Sequence, residues 1–416
     1  MAEGSTGVFR RGHATICLPI EKAEYDGIVE DPKSFRQWLD HCFAEMPELF
    51  PQGFSEGYVM KDGRISVKQG EFLRRIGLHN GSSYSIRPSF LMPYMTARTE
   101  EVENPLFLRK FGVPFWALAR VFHRDPMYWY RLEMGLGRNS LVGATVGATE
   151  LPENLLADEH HTRRDGEKNY IATTVGGGVV LGAALSEGAG TDDLREAYGV
   201  FKEEARDVEP EYAPKTVNTD GWHGTQAAWK VLFPLVAILR CFLHAWLKIR
   251  DRAKHLGDLF FDISERVWDA YHASDRRGFS QRIRGLRSWA SGCLTGVVLD
   301  KVLDLCDKRD LWTIAYDHPA CHRTSNMLDR LMRSMNRYFD NGQHLHGSHD
   351  VCNQHCRAWA LLHNFTPWHP ATTEDNNGWQ SPAERLNTHR YHDNWLQNLL
   401  ISASLGGYRN HPPQNP

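Results

Sequence analysis

Three aspartates stand where this chain could build a metal-dependent phosphodiester site. Asp158 ends the apolar run Leu155-Leu156-Ala157, Asp220 follows Thr216-Val217-Asn218-Thr219, and Asp329 lies in a helical segment well downstream. Cutting and joining phosphodiesters requires charge to be stabilised on both the attacking and the leaving oxygen. Two divalent ions about 3.5–4 Å apart do this by clamping an in-line displacement. Mg2+ keeps several waters and asks the protein for only a few carboxylates. An acid at the carboxyl end of a strand opens onto the crevice where ligands bind in such sheets. Any one of these aspartates could equally cap the element that follows it, or sit on a solvated helix face. Glu159 is a neighbouring possibility at the first position. Adjacent strand residues point to opposite faces, so only one of the pair can face the metals. Glu384, in Ser381-Pro382-Ala383-Glu384-Arg385, is a reserve for the third acid.

The elements that must position these acids are legible between residues 151 and 252. Leu155 and Leu156 lead into Asp158, and Tyr170 to Thr174 and Val179 to Leu185 are β-type runs separated by Gly176-Gly177-Gly178. That glycine run lacks the Lys-Ser/Thr of a P-loop and reads as a hairpin turn. Thr191 can cap a helix over Asp192 to Asp207, with Leu194, Tyr198, Phe201 and Ala205 on one face. Thr216 to Asn218 is a brief strand, Thr225 to Leu232 is helical, and Val236 to Leu239 runs into a helix from Cys241 to Arg252. The order is three strands, helix, strand, helix, strand. This resembles a ribonuclease-H-like core, with carboxylates at the ends of its first and fourth strands.

Upstream, residues 1–103 form an α+β region whose role is not legible. Ser34 to Ala44 has helical spacing, and Gly57 to Val67 alternates around Lys61-Asp62-Gly63-Arg64, a hairpin signal. Over residues 104–150, Pro114 introduces a helix to Phe122, and Asp125 caps a second from Met127 to Met134, with Pro126 at its first position. This pair reads as helix-turn-helix-like, with Tyr128, Trp129 and Arg131 on or near the recognition helix; two packed helices of any small domain would read the same way. From Arg109 to Arg138 there are six Lys/Arg against two acids. A second basic cluster is Arg276, Arg277, Arg282, Arg284 and Arg287, within the helical stretch 253–319. Such stripes suit phosphates but are also ordinary solvated faces. Residues 371–416 read as a polar, aromatic tail with a frayed Pro-Pro-Gln-Asn-Pro end.

Cys241 and His244 share a helical face, but a structural zinc site takes four ligands, so packing beside the Asp220 strand is the expected role. In the run from His344 to Cys356, His346, His349, Cys352 and His355 or Cys356 recur at three- and four-residue steps. Phosphate contact or plain surface is the expected role there too, because one helix rarely encloses a tetrahedral ion.

Four stretches together resemble the Mutator-like insertion-sequence transposases of the DDE/DDD type. They are Leu155-Leu156-Ala157-Asp158-Glu159; Asn218-Thr219-Asp220-Gly221-Trp222 with the Thr225, Ala228-Trp229 and Phe233-Pro234 that follow; the Cys-x-x-His of Arg240-Cys241-Phe242-Leu243-His244; and Thr324-Ser325-Asn326-Met327-Leu328-Asp329-Arg330. The resemblance covers about residues 150–365. It implies an α/β fold: a ribonuclease-H-like mixed sheet (151–252 and 320–370) with a helical insertion (253–319), preceded by a mainly helical DNA-binding region. It implies the triad Asp158, Asp220 and Asp329, Mg2+ with Mn2+ able to substitute, terminal inverted repeats and a target duplex as DNA partners, and a homo-oligomer on DNA. The family usually carries Glu where this chain has Asp329, which reaches about one methylene less. A nuclease that does not join, or a DNA-binding protein descended from a transposase with a dead site, remain alternatives.

The bulk numbers are compatible with this. The 416 residues, 41% hydrophobic, can bury a large core of two or three domains, and 13 Trp, 14 Tyr and 19 Phe argue against general disorder. The net charge of -3 does not itself advertise nucleic acid. Eight scattered Cys without a CxxC pair suggest reduced thiols. No signal-peptide pattern opens the chain, and Val231 to Leu247, interrupted by Arg240 and His244, is short for a membrane span. A cytoplasmic, nucleoid-associated protein with no membrane partner is the expectation.

Overall fold

The computed structural model describes residues 14–147 and 149–408. The described residues are mixed α/β, with two sheets. The first contains β1 (Thr15–Leu18), β2 (Tyr58–Ile65), β3 (Phe72–Leu78) and β4 (Ser83–Pro88) in the order β1-β4-β3-β2. Lys61-Asp62-Gly63-Arg64 is not the hairpin turn expected of it. It lies inside β2, where the register against β3 shifts between Lys61 and Arg64. The ring of Phe72 on β3 explains the glycine: a Cβ at Gly63 would come within 2.1 Å of it. The bulge therefore makes room for an aromatic, and the chain reverses later, between Ile65 and Phe72.

The second sheet holds β5 (Asn154–Arg164), β6 (Glu167–Gly176), β7 (Val179–Ser186), β8 (Thr216–Thr219) and β9 (Ala237–Arg240), in the order β7-β6-β5-β8-β9. The pairs β5–β6 and β6–β7 are antiparallel hairpins, while β5–β8 and β8–β9 are parallel. The parallel connections are helical: Thr191–Val208 links β7 to β8 and His223–Leu232 links β8 to β9. The expected element order is thus present. Thr191 is the first helical residue rather than a cap, because Gly190 precedes the helix and no side chain caps it.

Alternation along β5 sorts the two faces of this sheet. Leu155 and Ala157 bury themselves with Leu194, Tyr198, Phe201 and Trp229 under the two crossover helices. Leu156 joins the opposite core, and His160 faces Phe339 of the helix Asn326–Asn341. The sheet edge at β7 is covered by the helix His349–Phe365. Its Asn364 accepts from Val180 N (2.9 Å) and donates to Val180 O (2.8 Å), and its Asn353 accepts from Leu185 N (2.7 Å). These amides satisfy backbone groups that an open edge would leave for another chain.

Three apolar cores follow. One lies between the crossover helices and the sheet. One is wholly helical, running from Phe242 to Trp312, and so takes in residues 242–252, which were expected with the sheet. The largest joins the first sheet, the helices between residues 99 and 145, the second face of the central sheet and the helices after residue 326. Within the described residues, 14–103 and 104–147 are therefore not bodies apart from the second sheet. Nor is 371–408 a tail: Trp395, Leu396, Leu399, Leu400 and Ile401 of the helix Trp395–Ser402 are buried in the same core. Their apolar spacing over two turns outweighs the polar composition of the stretch around them. The terminal Pro-Pro-Gln-Asn-Pro lies outside the described residues.

Candidate active site

Asp158 projects from the middle of β5 on the face that carries the helix Asn326–Asn341. Its partner across the β5–β6 ladder is Thr173, whose hydroxyl approaches Met335 of that helix. Glu159 points the other way. It is buried, and its Oε1 accepts from Tyr198 and Thr225 of the two crossover helices, each at 2.7 Å. Its Oε2 has no hydrogen-bond partner. Burial, with the charges of Asp158 and Asp220 adding to it, raises Glu159 to about 7 against the hydrogen bonds of Thr225 and Tyr198. The opposition of faces expected from strand geometry holds, and Asp158 is the residue on the side of Asp329.

Asp220 follows β8, the parallel neighbour of β5. Gly221 then turns the chain with φ +100°, a conformation that side-chain-bearing residues rarely adopt. The carboxylate is exposed and accepts from Trp222 N at 2.8 Å. Asp329 sits in the first turn of Asn326–Asn341, half-buried. The three carboxylates share one electrostatic field. Burial, then the charge of Asp220, raises Asp158 to about 6, with Asp329 contributing in the same direction. His244 and the Glu159 backbone N–H, which donates to Asp158 Oδ1 at 2.9 Å, pull the other way.

Cys241 and His244 tie this cluster together. The Cys241 Sγ lies 3.1 Å from Ser325 Oγ and accepts from Ser325 N at 3.2 Å. Ser325 Oγ in turn donates to Asp329 Oδ1 at 3.4 Å. Phe242 N donates to Arg323 O at 3.1 Å, and Asn218 Nδ2 donates to His322 O at 2.8 Å. The end of β8, the start of the helix Phe242–Ala253 and the approach to the Asp329 helix are thereby stitched into one layer. Contact with Cys241, helped by the charges of Asp329 and Asp158 and opposed by burial, raises His244 to about 9. Burial pushes the Cys241 thiol up, but His244 and Ser325 more than offset it. The pair is a packing and charge element beside the acids, as its spacing suggests. Ser325, a positioning residue for Asp329, is the one that spacing alone does not single out.

The far end of the Asp329 helix is braced from the N-terminal region. Arg109 donates to the fully buried Glu133, which also accepts from Tyr338 of this helix. Burial raises the Glu133 carboxyl, but Arg109 and His355 override it and hold the group at about 2. His355 stands 3.0 Å from the Tyr338 hydroxyl. A buried ion pair whose lone pairs are this fully engaged resists the loss of either partner far more than it adds to net stability.

The remaining expected site residues are distributed otherwise. Trp129 is buried, and the helix Pro126–Leu136 turns Trp129, Leu132, Glu133 and Leu136 into the core. It packs on the helix His349–Phe365 and cannot enter a groove with that face. Only Arg131 is exposed; Tyr128 is half-buried. Asp125 does cap this helix, accepting from Met127 N at 2.8 Å. In the Arg276–Cys293 helix, Arg276, Arg282 and Arg287 pair with Asp317, Asp269 and Asp307 of neighbouring helices. All five arginines of that set are exposed, and Arg277 and Arg284 are the two without an acid partner among the described residues. The reserve acid Glu384 is buried elsewhere, accepting from Gln380 N at 3.0 Å and facing Arg390. The His344–Cys356 run does not form one helical face, because the helix begins only at His349. His346 faces Asp165, His349 approaches Leu185 O, and Cys356 is wholly buried.

The donor chemistry suits a hard cation. Three carboxylates offer oxygen ligands, and Asp158 is raised first by burial and then by the charge of Asp220, a cost to its ionised form that a dication would offset. Among the described residues no three His, Cys, Asp or Glu side chains already converge on one point. Asp158 and Asp220 each accept a backbone N–H on Oδ1 alone, which leaves Oδ2 of both for a cation. No helix among the described residues is long and apolar enough to cross a membrane. In comparison with known proteins, neither a family model nor a curated relative matches the chain.

Proposed function

We propose that this protein is a DNA transposase of the DDE/DDD type, cleaving element ends and transferring them to a target duplex on a ribonuclease-H-like core. One observation carries the reading. Asp158 on β5 feels the charges of both Asp220, at the carboxyl end of the adjacent parallel β8, and Asp329, on the helix covering that face. The strand order β7-β6-β5-β8-β9, with its two antiparallel hairpins, supports the ribonuclease-H-like assignment. The self-contained helical core between Phe242 and Trp312 supports the expected insertion between the second and third acids.

The chain's own contribution is placement. Asp158, Asp220 and Asp329 would hold Mg2+ or Mn2+, which when bound supplies charge stabilisation to the attacking and leaving oxygens. The β5–β8 ladder fixes the first two acids relative to each other. Ser325 and Cys241 orient the third, and contacts to Arg323 O and His322 O tie the approach to its helix to the end of β8. The His244 charge holds the acids together before any cation arrives.

The test is an in-vitro assay with a duplex carrying the element's terminal inverted repeats and a supercoiled target. Wild-type protein is expected to nick the ends and join their 3′ hydroxyls to the target only with Mg2+ or Mn2+. Asp220→Asn should bind the ends and do neither. Cleavage without joining would favour the hydrolytic nuclease. Binding without cleavage by the wild type would identify a protein with a dead site.

A further inference from the structure

Basic side chains without partners also lie outside the arginine-rich stretch, beside Asp220. A narrow open cleft starts at Asp220 and runs between the helix Phe242–Ala253 and the insertion helix Gly296–Asp307. Arg240, His244, Lys248, Lys301 and Lys308 line it, with Asp220 and Asp304 as its only acids. Lys308 is paired with Asp304 at 2.6 Å. Arg240, Lys248 and Lys301 make no hydrogen bond or ion pair among the described residues. Arg240 lies against Gly221, directly after Asp220. By contrast, three of the five arginines at 276–287 already have acids.

Three unpaired cations face one cleft, and Asp220 is the one acid of its lining not already paired with a base, so the cleft keeps an excess of positive charge. A polyanion would compensate it. We infer that this cleft is a phosphate subsite that seats a backbone phosphate of the DNA strand passing over Asp220. Arg240 and Lys248 contact it from the sheet side, and Lys301 from the insertion. The insertion then acts as one jaw of a clamp beside the acids, and holds the strand in register with Asp220. The inference rests on the proposed DNA chemistry. It does not depend on metal ligation, because its signature is binding without any divalent ion.

The experiment measures the affinity of the full chain for a 30-base-pair duplex in EDTA at several NaCl concentrations. The wild type is compared with Lys248→Gln/Lys301→Gln and with the charge reversal Lys301→Glu. For every phosphate that is no longer neutralised, the slope of log K against log salt falls by about 0.9, roughly an eightfold weakening of affinity near 0.1 M salt. The double variant is expected to show that reduction with an unchanged denaturation midpoint, and Lys301→Glu a larger loss. A wild type that binds DNA while both variants keep its slope and affinity overturns the subsite and leaves the transposase reading standing. A wild type that binds no duplex at any salt overturns both.

Discussion

Replacing Asp158 by Asn should make the metal-free protein more stable, not less, at alkaline pH. The Asp158 carboxyl is raised from 3.8 to about 6, first by burial and then by the charge of Asp220. That difference corresponds to about 3 kcal/mol between its charged and neutral forms. The folded-state value is raised, so the contribution of the neutral carboxyl to stability is fully present below about pH 4. It is lost as the pH climbs through about 6 and the group ionises in the fold. Asparagine keeps the side-chain shape and an Oδ1 that can accept from Glu159 N, and it carries no charge. Urea denaturation followed by tryptophan fluorescence, in chelator, should find the variant more stable by up to about 3 kcal/mol near pH 8. The advantage should close by about pH 4. Mg2+ added at alkaline pH should raise the wild-type midpoint and leave the variant's nearly still, because a ligand stabilises only the state that binds it. A variant no more stable than the wild type at pH 8 would refute the crowding of the three acids.

Two other substitutions separate structural from functional roles. Trp129→Ala removes a buried indole, so it should cost about 3–5 kcal/mol of stability, measured by denaturation. Any loss of DNA affinity should follow the loss of folded protein instead of a change in sequence preference. Ser325→Ala breaks the link from Cys241 to Asp329 and should cost only about 1 kcal/mol of stability. The metal concentration needed for half-maximal cleavage should rise several-fold, and Ser325→Thr should restore part of it; an unchanged metal requirement would show that Asp329 is positioned without Ser325.

Local pattern carried much of the central architecture. The amphipathic helix Thr191–Val208 shows a helical period, and the short, turn-bounded apolar runs at β6 to β9 are too short for helices and rich in β-branched residues. Asp125 and Pro126 marked a helix start because capping is decided by a few adjacent residues. The strand-end position of Asp220 was legible for the same reason. By contrast, the Asp62-Gly63 pair looked like a turn because the ring that displaces its Cβ belongs to Phe72, on the next strand.

The sequence by itself therefore determined the element order of the central sheet and that Asp220 follows β8, whereas Asp158, expected at a strand end, lies in the middle of β5 because its ladder with β6 runs on to Arg164. Only the tertiary structure decided what those elements face. It buried Trp129 instead of offering it to DNA, because the helix His349–Phe365, distant in sequence, packs on that face. It matched Arg276, Arg282 and Arg287 with acids from other helices, and left Arg240, Lys248 and Lys301 without any. It also set Asp158, Asp220 and Asp329 in one field. Charge pairing and burial depend on through-space neighbours, and linear spacing does not encode them.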